Sequence, residues 1–192
     1  MKRIVLLSLC LFLVIGMVSV FAGGGKDSGG GGAAKKYEFT LGSSYDRQSP
    51  PVIAALKWAD EVKAATNGAV TINVFSNSSI GTERELILQL VADEIEFIVV
   101  GMMTIDVFCP EYGFMSAPYL YKDYNHVKAI FASPLGDAMR KKFLANNVNF
   151  IGELWRGIRH TSSNKPVRTP DDVKGLKIRM TEMPSWVAVW RD

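Results

Sequence analysis

Basic side chains are concentrated between positions 156 and 179. There, seven lysine and arginine residues stand against two acidic ones, Asp171 and Asp172. The basic residues are Arg156, Arg159, Lys165, Arg168, Lys174, Lys177 and Arg179. A guanidinium group binds a carboxylate through two parallel, charge-assisted hydrogen bonds, so an arginine that faces a cleft is suited to capture a small organic acid. On an open surface, the same residues form a solvated basic face.

Two of these cations share one face of a predicted strand. The segment LKIRM at 176–180 alternates between apolar and basic residues, which predicts a strand whose apolar side chains face the core. Lys177 and Arg179 then project from the opposite face. The periodicity alone leaves open whether that face lines a cleft or meets solvent.

Residues that could catalyse a reaction or bind a metal are sparse. The two histidines, His126 and His160, have no cysteine or carboxylate partners at metal-ligand spacing. Beyond position 22, Cys109 is the single cysteine, which predicts a small buried residue and no disulfide within the chain. No Gly-x-Ser-x-Gly motif is present. The sequence therefore predicts no catalytic residue, no metal site and no cofactor.

The amino terminus has the pattern of an export signal. Two basic residues precede an uncharged stretch, Ile4 to Ala22, which predicts a signal peptide at 1–22 that is cleaved after Ala22. Two alternatives are an uncleaved anchor, because the stretch approaches the length of a bilayer span, and lipid modification of Cys10. Residues 23–34 are rich in glycine and predict a flexible linker.

The composition of the rest of the chain is that of a globular protein. Apolar residues make up 48% of the sequence, enough to bury a core. Without the two basic residues of the export signal, 20 lysines and arginines stand against 19 acidic residues. Such a balance disfavours a nucleic-acid-binding protein held by overall charge. A secreted protein that binds anions or polyanions through its basic stretch remains an alternative.

Strand-like and helix-like patterns alternate along the chain after the linker. Strands are predicted at 37–41, 70–75, 94–101 (buried and central) and 148–154. Helices are predicted from Pro50, from the capping box Thr82-x-x-Glu85, at 123–132 and 135–146, and from Thr169. The initial β-α-β-α-β order predicts a mainly parallel sheet with helices on both faces. Ligands of such sheets bind beyond the carboxyl ends of the strands.

Three segments resemble those of a known family in the same order along the chain. GIRHTSSNKPVRTPDDVKGLKIRM (157–180) resembles the Gly-x-Arg…Lys-x-Arg signature of the DctP-like solute-binding proteins of tripartite ATP-independent periplasmic (TRAP) transporters. SSIGTERELILQL (78–90) is similar to the family's Gly-x-x-Arg-Glu helix start, and FCPEYGFMSAPYLY (108–121) to its Pro-Glu…Pro-Tyr segment. The resemblance covers about residues 36–192.

The resemblance implies an α/β fold of the two-lobed, class II periplasmic-binding-protein type. Such a protein closes on a small organic acid, delivers it to a TRAP permease, and meets the membrane only through that permease. It implies a periplasmic protein that is not an enzyme and binds no nucleic acid. Because family members are longer, we expect a nearly complete first lobe at 35–156 and only the start of the second at 157–192. A non-functional or unstable fragment is the alternative that this truncation leaves open.

The resemblance also implies roles for individual residues. Arg179 matches the family arginine that pairs with the ligand carboxylate, and Arg159 matches a second cleft arginine. Glu83 and Arg84 are expected at the rim of the same cleft or, alternatively, in a solvated first turn of a helix. Trp155 is expected to form a wall of the pocket or, alternatively, part of the core.

Two local departures refine these expectations. Gly101 and Met102 occupy positions where sialic-acid binders of the family carry polar ligand contacts, so a smaller mono- or dicarboxylate is expected as the ligand. The segment VADEIEF (91–97) lacks the glycine usually found between this helix and strand, so we expect a less regular helix end there.

Overall fold

Three parallel strands form the sheet of the computed structural model, which describes residues 35–181 and 183–191. The strands are β1 (Tyr37–Ser43), β2 (Val70–Phe75) and β3 (Phe97–Val99), in the order β2-β1-β3. The predicted position of 94–101 as the central strand is therefore wrong. β1 pairs on both sides, whereas β3 is a short edge strand because no further strand of the described residues pairs with its outer edge.

Helices occupy most of the remaining regular structure. The described residues form α1 (Pro50–Ala65), α2 (Glu83–Val91), α3 (Met103–Phe108), α4 (Tyr124–Phe131), α5 (Pro134–Ala145) and α6 (Pro184–Arg191). Short 3₁₀ helices lie at Pro110–Ser116 and Pro170–Val173. The predicted helices α1, α2, α4 and α5 are confirmed, and the start predicted at Thr169 produces the second 3₁₀ helix. Among the described residues, every helix is too short or too polar to span a bilayer.

Local capping explains where α1 and α2 begin. α1 starts with proline after Ser49, whose backbone is extended, because proline at the first helical position sacrifices no intrahelical hydrogen bond. At α2, the backbone N–H of Thr82 donates to Glu85 Oε2 at 2.7 Å, and the Thr82 hydroxyl accepts from the N–H of Glu85 at 3.5 Å. The capping box predicted from the sequence is therefore formed.

Helices cover both faces of the sheet, as predicted. On one face, Ala55 and Ala59 of α1 pack in a buried cluster with Leu41 and Ile72 of the strands. On the other face, α2 approaches β1 closely enough that a side chain at Gly42 would lie 2.5 Å from Leu86 Cδ2. A second buried cluster lies on the α2 side and includes residues of α2 to α5. The helices thus cover the two faces of the sheet and not the edge formed by the carboxyl ends of its strands.

The end of α2 is a complete Schellman motif without glycine. The N–H of Asp93 donates to Leu90 O at 3.3 Å, and that of Glu94 donates to Gln89 O at 2.9 Å, which is the standard pair of bonds in this motif. Asp93 has a φ of 55°, in the left-handed region that glycine adopts most easily. The departure from the family pattern is therefore accommodated by backbone strain at Asp93 and not by loss of the cap.

Substituting glycine at position 93 is expected to stabilise the protein. Asp93→Gly removes the steric cost of a left-handed aspartate, and we expect the free energy of unfolding to rise by about 0.5–1 kcal/mol. Asp93→Ala is the matched control and should lower it, because alanine keeps the Cβ and lacks the local hydrogen bonding of aspartate. Urea denaturation of the three proteins measures both changes. A lower stability for the glycine variant would contradict this account of the helix end.

Two predicted strands are absent from the described residues. The segments 148–154 and 176–180 run without strand partners. In the second, the predicted alternation persists, with Lys177 and Arg179 exposed between half-buried apolar neighbours. Alternation reflects which side chains are covered, whereas a strand also needs a neighbour to complete its backbone hydrogen bonds. These segments lack that neighbour in the described part of the chain.

From Lys35 onward the chain groups into one compact unit. The lobe boundary expected after position 156 stays a prediction. The predicted signal peptide (1–22) and linker (23–34) lie outside the described residues.

Candidate functional site

The carboxyl ends of β1 and β3 are tied together and hold Tyr45 above them. Ser43, the last residue of β1, is buried and donates its hydroxyl to Val99 O at 2.6 Å. The backbone N–H of Tyr45 donates to the same hydroxyl at 3.2 Å, and Tyr45 O accepts from the N–H of Asn77 at 2.7 Å. The backbone of Tyr45 is thus fixed at the sheet edge where parallel α/β folds bind ligands.

Glu83, the first residue of α2, reaches the same edge. Its Oε1 accepts the backbone N–H of Gly101 at 2.9 Å, just beyond β3. A side chain at Gly101 would lie 2.9 Å from Glu83 Oε1 and 3.0 Å from the Tyr45 hydroxyl oxygen. The missing side chain at position 101 therefore permits the carboxylate and the phenol to converge on one point.

Burial dominates the protonation behaviour of both groups. Burial raises the pKa of the Glu83 carboxyl, and the N–H groups of Gly101 and Met103 together with the guanidinium groups of Arg156 and Arg159 oppose the rise. Burial also raises the pKa of Tyr45, and the neighbouring Glu83 carboxylate raises it further. The charges of both arginines thus act on the carboxylate and on the phenol.

The shift at Glu83 predicts a pH-dependent difference between the wild type and Glu83→Gln. Because the folded pKa lies above the unfolded one, folding favours the protonated acid, and the wild type loses stability as the pH rises through this range. Glutamine is neutral throughout. We expect the stability of Glu83→Gln relative to the wild type to increase from about pH 4 to about pH 7. Urea denaturation at both pH values measures it, and a constant or opposite difference would contradict the shift.

The guanidinium group of Arg156 lies over the ring of Tyr45. Its guanidinium carbon is 3.9 Å from the centroid of the Tyr45 ring, a favourable cation–π arrangement. Arg156 is exposed and forms no ion pair with an acid of the described residues. The contact with the ring restricts the guanidinium group, and a hydrogen bond from Arg156 to the Tyr45 side chain opposes the rise that burial causes in the pKa of Tyr45.

Arg159 is held in the same way on a second aromatic ring. Its guanidinium carbon is 4.4 Å from the centroid of Trp186 in α6. The indole N–H of Trp186 donates to Ser116 O at 2.8 Å, and the hydroxyl groups of Ser116 and Ser185 are hydrogen-bonded at 2.8 Å. α6 is therefore anchored to the first 3₁₀ helix, and it supplies the platform for Arg159.

These residues combine opposite charges with aromatic support. We call Tyr45, Glu83, Arg156, Arg159 and Trp186 the sheet-edge cluster. Two stacked guanidinium groups can each form paired hydrogen bonds with a carboxylate, and the carboxylate of Glu83 accepts hydrogen bonds from hydroxyl or N–H groups. The arrangement is suited to bind a small molecule that carries both an acid and hydrogen-bond donors.

The cluster contains two of the residues singled out from the sequence. Glu83 and Arg159 both act electrostatically on Tyr45, and Arg159 also acts on Glu83. Arg84 is exposed in the first turn of α2, and Arg179 is exposed in segment 176–180; among the described residues neither forms a hydrogen bond or ion pair with the cluster. Trp155 packs against Tyr124 of α4, with ring centroids 6.0 Å apart. The ligand-binding roles of all five residues stay predictions.

Sequence reasoning missed three members of the cluster, namely Tyr45, Arg156 and Trp186. Arg156 was in the basic stretch, and Tyr45 comes two residues after the end of β1. A side chain just beyond a parallel strand was therefore the available signal for Tyr45. Trp186 follows the recognised signature and gave no local signal of its own.

The described residues do not favour chemistry by a reactive thiol or a bound metal ion. Cys109 is fully buried, as predicted, and burial raises the pKa of its thiol to about 11, which disfavours the reactive thiolate. Across residues 35–181 and 183–191, no three His, Cys, Asp or Glu side chains lie close enough together to hold a metal ion.

A family model and individual relatives of known sequence point to the same protein family. Residues 41–192 match the model of DctP, described as bacterial extracellular solute-binding protein, family 7. The C4-dicarboxylate-binding protein DctB of Bacillus subtilis is 30% identical over 135 residues, which cover 70% of this chain and 39% of DctB. The chain spans about half the length, or less, of the curated relatives that it matches.

Solved structures agree in fold. A TRAP periplasmic solute-binding protein from Roseobacter denitrificans with bound L-galactonate is 26% identical and superposes with a TM-score of 0.76, covering 83% of this chain and 53% of that one. Another from Citrobacter koseri with bound D-glucuronate is 25% identical, with a TM-score of 0.73 and coverage of 80% and 52%. The matched half of these proteins has the α/β fold described above. The chain therefore belongs to the DctP family of TRAP-type extracellular solute-binding proteins, which bind solutes for transport and are not enzymes.

Proposed function

We propose that this protein captures a small organic acid outside the cytoplasm and delivers it to a TRAP-type permease. The observation that carries the proposal is the pair of guanidinium groups, Arg156 and Arg159, each stacked on an aromatic ring at the carboxyl edge of the sheet. Stacking restricts each side chain before the ligand arrives, which reduces the entropy lost on binding.

In the proposed complex, the ligand carboxylate is gripped by arginine. Arg159 is one partner, Arg156 joins it from the cluster, and Arg179 completes the set as the arginine that the family signature assigns to the carboxylate. Each charge-assisted hydrogen bond contributes about 1.5–3 kcal/mol when it is shielded from water. The relatives named above bind L-galactonate, D-glucuronate or C4-dicarboxylates, and small acids of these classes are the proposed ligands.

The proposed location is the periplasm. The support is the export signal expected at residues 1–22 together with membership of an extracellular family. Delivery to a TRAP permease is proposed from the same membership, and the protein would contact the membrane only through that permease.

Thermal unfolding of the 192-residue chain with a panel of small carboxylates tests the proposal. A ligand that binds only the folded state stabilises it by about 2.7 kcal/mol at a concentration of about a hundred times its Kd. We expect a rise in Tm of roughly 5–10 °C for at least one acid, and we expect Arg179→Ala to abolish it while unfolding stays cooperative.

Two controls keep this experiment decisive. Amines and neutral sugars of similar size should leave the Tm unchanged. Stabilisation by polyanions that fades steeply with added salt would instead indicate binding through overall charge, and it would contradict the proposal. A selective rise in Tm that persists unchanged in a folded Arg179→Ala protein would contradict the role proposed for Arg179.

A further inference from the structure

Ser116 receives two hydrogen bonds from the first turn of α6. Its backbone carbonyl accepts the indole N–H of Trp186 at 2.8 Å, and its hydroxyl oxygen lies 2.8 Å from the hydroxyl oxygen of Ser185. Ser116 is buried and is the last residue of the first 3₁₀ helix. One buried residue therefore holds the start of a helix that lies about seventy positions further along the chain.

The direction of the hydroxyl hydrogen bonds follows from the number of protons. A serine hydroxyl carries a single proton, and that of Ser116 is donated to Gly113 O at 2.7 Å. Ser185 is therefore the donor to Ser116. We call this chain of hydrogen bonds, from Ser185 to Ser116 to Gly113, the serine relay. Each hydroxyl proton in the relay has an acceptor, and removing either hydroxyl leaves a polar group of the relay without its partner.

Few hydrogen bonds tie residues 149–181 and 183–191 to the rest of the described chain. Two are the bonds to Ser116, and a third runs from Arg156 to the Tyr45 side chain. Among the described residues, α6 therefore has its hydrogen bonds to other elements at Ser116 alone. Without the relay, the indole N–H would be left as the one hydrogen bond that fixes the start of α6.

Trp186 extends this attachment to the candidate site. The guanidinium carbon of Arg159 lies 4.4 Å from the centroid of the Trp186 ring. Arg159 is exposed and forms no ion pair with an acid of the described residues. Ordering a long, flexible side chain opposes binding unless the protein has already restricted it. The position of the indole ring therefore affects how well Arg159 is prepared for a ligand.

We infer that Ser116 and Ser185 are positioning residues for ligand capture, because the serine relay holds α6 where Trp186 supports Arg159. Neither serine needs to touch the ligand. This role rests on the proposed function, since both serines act on the acid through Arg159. Coupling between two sites is reciprocal, so an acid bound by Arg159 should in turn slow the solvent exchange of the Trp186 indole proton.

Nitrogen-15 relaxation of the arginine Nε–H groups tests the first step without a ligand, on the 192-residue chain. We expect the Arg159 side chain to be more mobile in Ser185→Ala than in the wild type. Arg156 rests on Tyr45 and not on α6, so its mobility should stay the same. Equal mobility of Arg159 in the wild type and in folded Ser185→Ala would overturn the inference.

Matched variants separate the relay from general effects on folding. Ser116→Ala breaks the relay from the other side and should mobilise Arg159 as Ser185→Ala does, so it carries the test if the first variant fails to unfold cooperatively. Ser185→Thr keeps the hydroxyl and should keep Arg159 restricted. Val189→Ala shortens an exposed side chain of the same helix and should leave Arg159 unchanged.

Titration calorimetry tests the second step with L-galactonate and D-glucuronate, the acids bound by the two structural relatives. We expect Ser185→Ala to weaken binding about two- to tenfold. The same loss should appear in an Arg156→Ala background and vanish in an Arg159→Ala background, because the relay acts through Arg159. A loss of equal size in both backgrounds would indicate a merely structural role and overturn the inference.

The outcomes distinguish this role from the function on which it rests. Unchanged Arg159 mobility, or an equal loss of affinity in both arginine backgrounds, would overturn the role of the serines and leave acid binding intact. Failure of every acid to bind the folded wild type would overturn both. The relaxation measurement needs no ligand, so it decides the matter even where an arginine variant binds too weakly for calorimetry.

Discussion

Replacing Arg156 and Arg159 together by alanine is expected to weaken the binding of a small organic acid by a factor of about 10² to 10⁴. Hydrogen bonds to charged groups contribute about 1.5–3 kcal/mol each, and about 1.4 kcal/mol corresponds to a tenfold change in affinity. The two guanidinium groups rest on different rings, Tyr45 and Trp186, but in the proposed complex they share the ligand carboxylate, so their losses should be coupled and not simply additive. Titration calorimetry of the double variant and of each single variant measures both the size and the additivity.

A control of equal charge tests whether position matters. Lys165 and Arg168 are exposed in the same basic stretch, and among the described residues the hydrogen bonds at these positions are donated by the backbone. The Lys165→Ala/Arg168→Ala protein therefore loses the same net charge away from the cluster. We expect it to bind as the wild type does at physiological salt. An equal loss in both double variants would show that binding depends on overall charge.

Gly136→Ala is expected to destabilise the protein by about 3 kcal/mol. Gly136 lies in the first turn of α5, immediately after the turn that joins it to α4. An alanine Cβ would lie 2.6 Å from the carbonyl carbon and 2.7 Å from the Cα of Phe131, the last residue of α4. Backbone atoms cannot rotate away as a side chain does, so the two helices must separate. The clash also reaches the buried cluster to which Phe131 belongs.

The sign of this change makes it diagnostic. In an unobstructed helix, glycine to alanine is stabilising by about 1 kcal/mol, so a loss can only come from the tertiary contact. Gly152→Ala is the control, since a Cβ at Gly152 meets no atom within 4 Å, and it should leave stability unchanged or slightly raised. Urea denaturation compares the two variants. If Gly136→Ala left the free energy of unfolding unchanged, the α4–α5 corner would be looser than its geometry indicates.

The parts of the fold that could be predicted are those specified by neighbouring residues. α1 and α2 begin where a proline or a capping box lies in the sequence, because these signals act within one helical turn. An apolar segment predicts a strand at 148–154 and alternation predicts one at 176–180, yet the described residues give neither segment a pairing partner. Strand pairing depends on segments that are distant in the sequence, and a local pattern does not identify them.

The candidate site likewise contains residues that a local motif predicts and residues that only the fold brings together. Glu83 and Arg159 could be selected because each lies within a recognisable motif. Their companions depend on contacts between distant segments: Tyr45 and Arg156 are more than a hundred residues apart and meet only through the fold. Trp186 becomes a platform for Arg159 because Ser116 receives its indole N–H. Cation–π stacking has no sequence period, so no pattern could have predicted it.

The segment 149–168 carries both stacked arginines and forms no backbone–backbone hydrogen bond among the described residues. Amide protons without such bonds exchange quickly with solvent, so deuterium should label this segment long before the central strand β1. A bound acid that immobilises Arg156 and Arg159 should slow the labelling of their own amides. Ordering each residue opposes binding by about 1–2 kcal/mol. Stacking already restricts the two side chains, but the backbone of the segment is still to be ordered, so ligand capture is expected to be driven by enthalpy and opposed by entropy. The exchange rate of this segment then reports the fraction of protein that has ligand bound.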